Sequence, residues 1–333
     1  TGIDSRKGTA VRADRKINLI KRGRRLPDEI GVGAALVALI AFVSLIQPRF
    51  LGIDNLLNLV ANNTIIAILA MGIVFLLATG EIDLSFGYIL NITAVVAGLL
   101  MIAGLPIAVA VIIALVLGAA LGAFNGFLTV LFRLPLIIIT LGTASMYAGL
   151  SLVINRSGSV VPPKEVTNSE YFQFMGGLSE FPISPLILIL VVTFIILSFV
   201  FYRSRFGYRV TALGSNPEGA RLAGIPVARV RIQVTALMGL LAGLCGVLFL
   251  SFRGAVDPTT GSGYLLPVIA AAIIGGTPLT GGTGSLVGAI LGAMVIAVID
   301  TGIVFLGIDA VWSTFVTGAV IIAAVGIDQL VKA

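Results

Sequence analysis

The sequence has no histidine, a single cysteine and very little charge. Of its 333 residues only 11% are charged, against about 25% in an ordinary soluble domain. With 58% hydrophobic residues and a mean hydropathy of +1.12, it cannot supply the polar surface that a water-exposed fold needs. Most of the chain must face lipid. The missing histidine and the isolation of Cys245 in an apolar run exclude an internal disulfide, a Cys/His zinc site, and catalysis by a His base or a Cys-His pair. No catalytic or metal-ligating residue is expected. The lysines are Lys7, Lys16, Lys21, Lys164 and Lys332, and none follows a glycine, so the end of a phosphate-cradling loop is absent. If ATP and Mg are used, a partner chain binds them, and no cofactor is expected in this one.

The net charge of +6 is unevenly placed. Arg6, Lys7, Arg12, Arg15, Lys16, Lys21, Arg22, Arg24 and Arg25 precede the first apolar run, and Arg203, Arg205, Arg209, Arg221, Arg229 and Arg231 share one loop. Basic residues grouped beside spans mark the cytoplasmic side, so they point to membrane orientation rather than to nucleic acid.

Three stretches, 1–29, about 155–183 and about 203–231, are too polar to span. Between them lie apolar runs at Ile30 to Ile46, Asn62 to Ala78, Ser85 to Ala103, Pro106 to Phe132, Leu136 to Ile154, Ser184 to Tyr202, Ile232 to Phe252, Leu265 to Ile274, Ser285 to Leu306 and Val311 to Ile327. At about 20 residues per crossing, they predict an all-α, polytopic membrane protein of about ten transmembrane helices. The Leu265 run is too short to cross alone, and glycines follow it through Gly284, so a re-entrant or broken helix is expected near 265–284. Gly118, Gly122 and Gly126 share their spacing with Gly284, Gly288 and Gly292. That repeat suggests two related halves, each triplet clearing a helix face for close packing. The expected organisation is a basic cytoplasmic tail at 1–29 and one transmembrane domain at 30–333. Residues 203–231 form a cytoplasmic loop and 155–183 an extracytoplasmic one, with both termini cytoplasmic. This topology puts most basic residues inside and only Arg49, Arg156, Lys164 and Arg253 outside.

Within the cytoplasmic loop, Asn216 suits a helix N-cap, Pro217 the first helical position and Glu218 the positive end of the dipole, while Gly224 ends the helix. The short helix of Glu218, Gly219, Ala220, Arg221 and Leu222 fits either a groove on a partner or the lipid headgroups. Glu81, Asp83 and Ser85 follow the second run directly, as a gate or as a cap for the third. Asn91, Asn125, Thr140 and Thr143 are placed to line a solute path, and each equally suits an interhelical hydrogen bond.

These segments resemble a family. Asn216 to Ile225 is similar to the cytoplasmic coupling segment of permease subunits from bacterial ABC importers of the ribose and xylose type. Gly80 to Ser85 resembles the family's Gly-Gly-Ile-Asp-Leu-Ser block, Gly122 to Gly126 its Gly-x-x-Asn-Gly element, and Thr140 to Thr143 its Thr-Leu-Gly-Thr element. Ile274 to Ser285 and the Trp312 region match as well. The resemblance spans about residues 35 to 330. It implies an inner-membrane permease for a monosaccharide, working by alternating access and paired with a second permease subunit as a homodimer. Its further partners would be a cytoplasmic ATP-binding subunit, an extracytoplasmic sugar-binding protein and the membrane lipid. The segment 216–224 would then be the ATPase-coupling helix. Two residues depart from the pattern: Gly219 stands where the family usually has Ala, and Glu81 where it usually has Gly, the latter as in xylose-type members. The alternative is an ion-coupled secondary transporter or channel using Glu81, Asp83 and Asp300; a scaffold would leave the capped helix unexplained.

Overall fold

The computed structural model describes residues 28–176, 183–309 and 311–332. The basic tail up to residue 27, and residues 177–182 of the loop drawn at 155–183, lie outside the described residues. Apolar runs become helices because lipid offers no partner for backbone N–H and C=O groups, and a helix satisfies its own. In chain order these are α1 (Asp28–Ile46), α2 (Ile53–Ala78), α3 (Phe86–Ile102), α4 (Ile107–Phe132) and α5 (Leu136–Ile154). The short helices α6 (Lys164–Thr167) and α7 (Glu170–Met175) precede α8 (Pro185–Arg203). There follow α9 (Arg205–Ser215), α10 (Pro217–Leu222), α11 (Val227–Arg253), α12 (Leu265–Ile274), α13 (Leu286–Phe305) and α14 (Trp312–Lys332).

Seven of them, α1, α2, α4, α5, α8, α11 and α13, are long and apolar enough to cross a membrane, and α3 and α12 are shorter apolar helices. Among the described residues there is no strand, only an isolated antiparallel bridge between Val160 and Val256. The protein is an all-α, multi-pass membrane protein, and each of the ten apolar runs is helical. Three boundaries differ from the sequence reading by five residues or more, one of them the end of α14, at Lys332 rather than Ile327. α2 begins at Ile53 rather than Asn62, because the amides of Asn62 and Asn63 donate to the carbonyls of Asn58 and Leu59 within the helix. α11 begins at Val227, inside the stretch read as loop, so Arg229 and Arg231 ride its first turns.

Helices α2 and α11 form the buried centre and α1 lies at the rim. Gly118, Gly122 and Gly126 of α4 press against Gly243, Gly239, Thr235 and Ile232 of α11, so closely that a Cβ on any of them would collide with its neighbours. Such contact brings two backbones together where apolar side chains gain nothing over lipid. In the other half, Gly288 and Gly292 of α13 meet Gly275 and Ala271 beside and within α12, and Gly284 faces Val74 of α2. Both triplets therefore pack, against partners that do not correspond between the halves. Cys245 is buried with its Sγ near the Ile65 carbonyl.

Arg133, Arg203, Arg205, Arg209, Arg221, Arg229 and Arg231 lie at the helix ends and connections on one side of the bundle, termed the basic end below. At the opposite end the 155–176 loop is tied to the segment after α11 by the Val160–Val256 bridge and by Ser159 Oγ on Asp257 Oδ1, and to the last turn of α11 by Tyr171 Oη 2.9 Å from Ser251 Oγ.

Candidate functional site

Two interruptions of the helical bundle meet in its interior. After α2 ends at Ala78, residues 79–85 run without helix, and α3 starts only at Phe86. Asn125, beside Ser85, stands seven residues before the end of α4, about 10 Å from that end at 1.5 Å per residue. The segment 79–85 therefore climbs from the basic end into the bundle. From the opposite side, the segment after α11 dips inward until Gly261 touches Gly87, with no room for a Cβ on either. Non-helical backbone at membrane depth is tolerated only where protein or a water-filled cavity covers it. Short or interrupted apolar segments in matching parts of two halves mark the binding region of many transporters.

A line of polar side chains follows this seam. The Ser85 N–H and Oγ both donate to Asp83 Oδ1, at 2.6 and 2.7 Å. Asn125 Nδ2 donates to Ser85 Oγ at 2.7 Å, and the Tyr147 hydroxyl lies 2.8 Å from Asn125 Oδ1 and 3.1 Å from the Leu121 carbonyl. Asp83, Ser85 and Asn125 have no solvent exposure. The Asp83 carboxylate fixes the turn that enters α3 by holding the Ser85 N–H, and the Ser85 side chain makes no cap bond of its own. The Leu84 N–H donates to Thr140 Oγ1 at 3.1 Å, which fastens the same segment to α5; Thr143 is buried one turn before Tyr147. Nearer the opposite end, Ser151 Oγ donates to Asn91 Oδ1 at 2.6 Å and Asn91 Nδ2 to the Asp257 carbonyl at 2.7 Å. The structure thus brings Asp83, Ser85, Asn125 and Thr140 together and sets Asn91 about two turns further along α3. Tyr147, Ser151 and Asp257 join them unforeseen; an isolated hydroxyl in an apolar helix carries no local signal of its partner.

Glu81 stands apart from that line. Its Oε1 lies 2.8 Å from Arg231 Nε, forming an ion pair across from 79–85 to the first turns of α11. The pair borders a cavity of about 400 Å³ lined also by Gly80, Arg133, Pro135 and Ile137.

At the basic end, α10 is built as its residues dictate. Asn216 Oδ1 accepts the Gly219 N–H at 2.8 Å, Pro217 occupies the first turn, and Gly224 leaves the helix at φ +79°. Glu218 and Arg221 form an exposed ion pair at 2.7 Å, and Leu222 is 79% exposed. A Cβ at Gly219 would sit within about 3 Å of the Asn216 side chain, so glycine here leaves room for the cap. The preceding helix α9 was not anticipated. Its signal was Ser204, whose Oγ accepts from the N–H groups of Phe206 and Gly207, followed by Phe206, Val210 and Leu213 at helical spacing. α9 ends against the interior: Gly214 packs on the Ala78 carbonyl and on Gly282, whose N–H donates to that carbonyl at 2.9 Å. Contacts therefore run from α10 through α9 to the end of α2, where the unwound segment 79–85 begins.

An interrupted, polar-lined helical bundle of this kind has the architecture of a membrane transport protein. Residues 55–325 match the family described as the permease component of branched-chain amino acid transport systems, and the chain belongs to that family. Among its relatives are the ribose import permease protein RbsC of Escherichia coli K12, 35% identical over 295 residues, which cover 89% of this chain and 92% of that protein. RbsC of Bacillus subtilis is 33% identical over 302 residues, 91% of this chain and 93% of its own. LsrC of Yersinia enterocolitica, an autoinducer 2 import permease, is 33% identical over 294 residues, 88% of this chain and 80% of that one. No solved structure matches the chain.

Proposed function

We propose that the chain is the transmembrane subunit of an ATP-driven importer of a monosaccharide of the ribose or xylose class, working by alternating access. Its partners would be a second copy, a cytoplasmic ATP-hydrolysing subunit and an extracytoplasmic sugar-binding protein, in a bacterial inner membrane with both termini cytoplasmic. The observation that carries this reading is α10, a capped two-turn helix that presents Leu222 and the Glu218–Arg221 pair to solvent. A partner ATPase closing on α10 would push α9 against the end of α2 at Gly214 and Ala78, and so move the 79–85 segment. Asn91, Asn125, Thr140 and Thr143 would exchange their internal bonds for sugar hydroxyls as the helices part. Glu81, Asp83 and Ser85 would act as the gate beside them. The names of the ribose permease relatives also support a sugar. For an ion-coupled carrier, Glu81 is already paired with Arg231 and Asp83 Oδ1 already holds Ser85, which leaves Asp83 Oδ2 and Asp300 Oδ1 as the buried oxygens open to an ion.

The test is ATP-dependent uptake of labelled ribose and xylose in proteoliposomes holding the permease, its ATPase and its binding protein. Uptake that persists without the ATPase and follows an ion gradient would overturn the reading. The double variant Glu218→Lys, Leu222→Asp should insert normally yet lose the ATPase on copurification; unchanged copurification would remove α10 from the coupling role.

A further inference from the structure

One cavity belongs neither to the seam nor to the coupling segment. It is an open groove of about 420 Å³ on the outside of the bundle, lined by Ala119, Val200, Phe206, Gln233, Ala236, Leu237 and Leu240 with Arg209. Its polar groups are at one end. Arg209 is on α9 at the basic end, and Gln233 lies near the start of α11. From Gln233 the wall runs through Ala236 and Leu237 to Leu240, about 10 Å along the helix at 1.5 Å per residue. Ala119 faces the deep end, because its neighbour Gly118 packs on Gly239. Half of a bilayer's hydrocarbon thickness is about 15 Å, so the groove follows most of one leaflet from its headgroup edge inward.

Its charge is one-sided. No Asp or Glu occurs in α4, α8, α9 or α11, the four elements that line it. Among the described residues Arg209 has no carboxylate partner, the ion pairs there being those of Arg221 and Arg231. A cation left unpaired at the mouth of an apolar channel calls for an anion that carries its own apolar tail. Basic pockets between helices at a membrane surface are where anionic headgroups bind.

We propose that this groove is a site for an anionic phospholipid, with its phosphate on Arg209 and Gln233 and an acyl chain along Phe206, Ala236, Leu237 and Leu240. The occupant is a lipid rather than a second copy because a single cation stands at one end of an apolar groove whose length follows one leaflet. The inference requires only that the chain lies in a membrane, and it stands whichever solute is carried.

The experiment is native mass spectrometry of the full-length permease, delipidated in detergent and titrated with phosphatidylglycerol or with phosphatidylcholine of the same acyl chains. The expected result is preferential retention of phosphatidylglycerol. Arg209→Gln should weaken that retention about fivefold, the value of one basic residue near an anionic surface, while Arg221→Gln leaves it unchanged. Leu240→Trp, at a partly exposed position, should fill the channel and reduce retention of both lipids while the melting temperature is kept. Equal retention of the two lipids by wild type, or no change in Arg209→Gln, would overturn the site. A shift from dimer to monomer in Leu240→Trp with lipid retention intact would overturn it in favour of a second copy.

Discussion

The segments 80–87 and 216–224 lie at the two ends of one chain of contacts, yet they are held by opposite means. The second is local: Asn216 caps Gly219 within one turn, Glu218 pairs with Arg221, and Gly224 supplies the positive φ, all within nine positions. The first, beyond the local bonds from Ser85 to Asp83, is held from afar. Ser85 bonds Asn125, Leu84 bonds Thr140, Glu81 pairs with Arg231 and Gly87 touches Gly261. A segment that closes its own bonds can be presented to water and to a partner intact. One that takes its bonds from three other helices changes shape only when those helices move, which is what a gate coupled to the bundle requires.

The contrast can be tested by substitutions graded in effect. Asn125→Leu should do most, because it removes two buried interhelical hydrogen bonds, leaving Ser85 Oγ with Asp83 alone and Tyr147 with the Leu121 carbonyl alone, and so lowers stability by about 2 kcal/mol. Thermal melting in detergent measures this. A melting temperature equal to wild type would mean that the polar line does not hold the helices. Arg231→Gln comes next, at about 1–2 kcal/mol. It strands the Glu81 carboxylate, which is 12% exposed, and the loss is moderated by the 35% exposure of Arg231 itself. Replacing both residues, Glu81→Gln with Arg231→Gln, should recover part of that loss, and a double variant as unstable as the sum of the singles would show that the ion pair is not coupled. Gly219→Ala should change least, by under about 1 kcal/mol. The gain in helix propensity is offset by crowding of the Asn216 cap. If it destabilised the whole permease as much as Asn125→Leu, the idea that 216–224 stands on local bonds would fail.

Legibility in the sequence follows the same division. The α10 helix was readable because its cap, its proline and its terminating glycine are adjacent residues with fixed preferences. The ten apolar runs were readable because lipid demands length and hydropathy, both of which are written along the chain. α9 was missed because an amphipathic helix in a basic loop has too little hydropathy to register as a span, although Ser204 and the Phe206, Val210, Leu213 spacing mark it. The stretch at 79–85 reads in the sequence as a gate or as a cap for α3. Nothing in Gly80 to Ser85 says that it climbs into the bundle, since its depth is set by Asn125 and Thr140.

The sequence by itself determined the solvent, the helical class, the repeat of glycine triplets and the cap-and-stop design of 216–224. Each depends on composition or on neighbours within a few residues. Only the tertiary structure decided that the two glycine triplets face different partners and that Glu81 has a counter-charge in Arg231. It also decided that Gly87 meets Gly261 where two interruptions converge. Those outcomes depend on which helix lies beside which, and in lipid that choice is made by close packing and a few buried hydrogen bonds rather than by hydropathy.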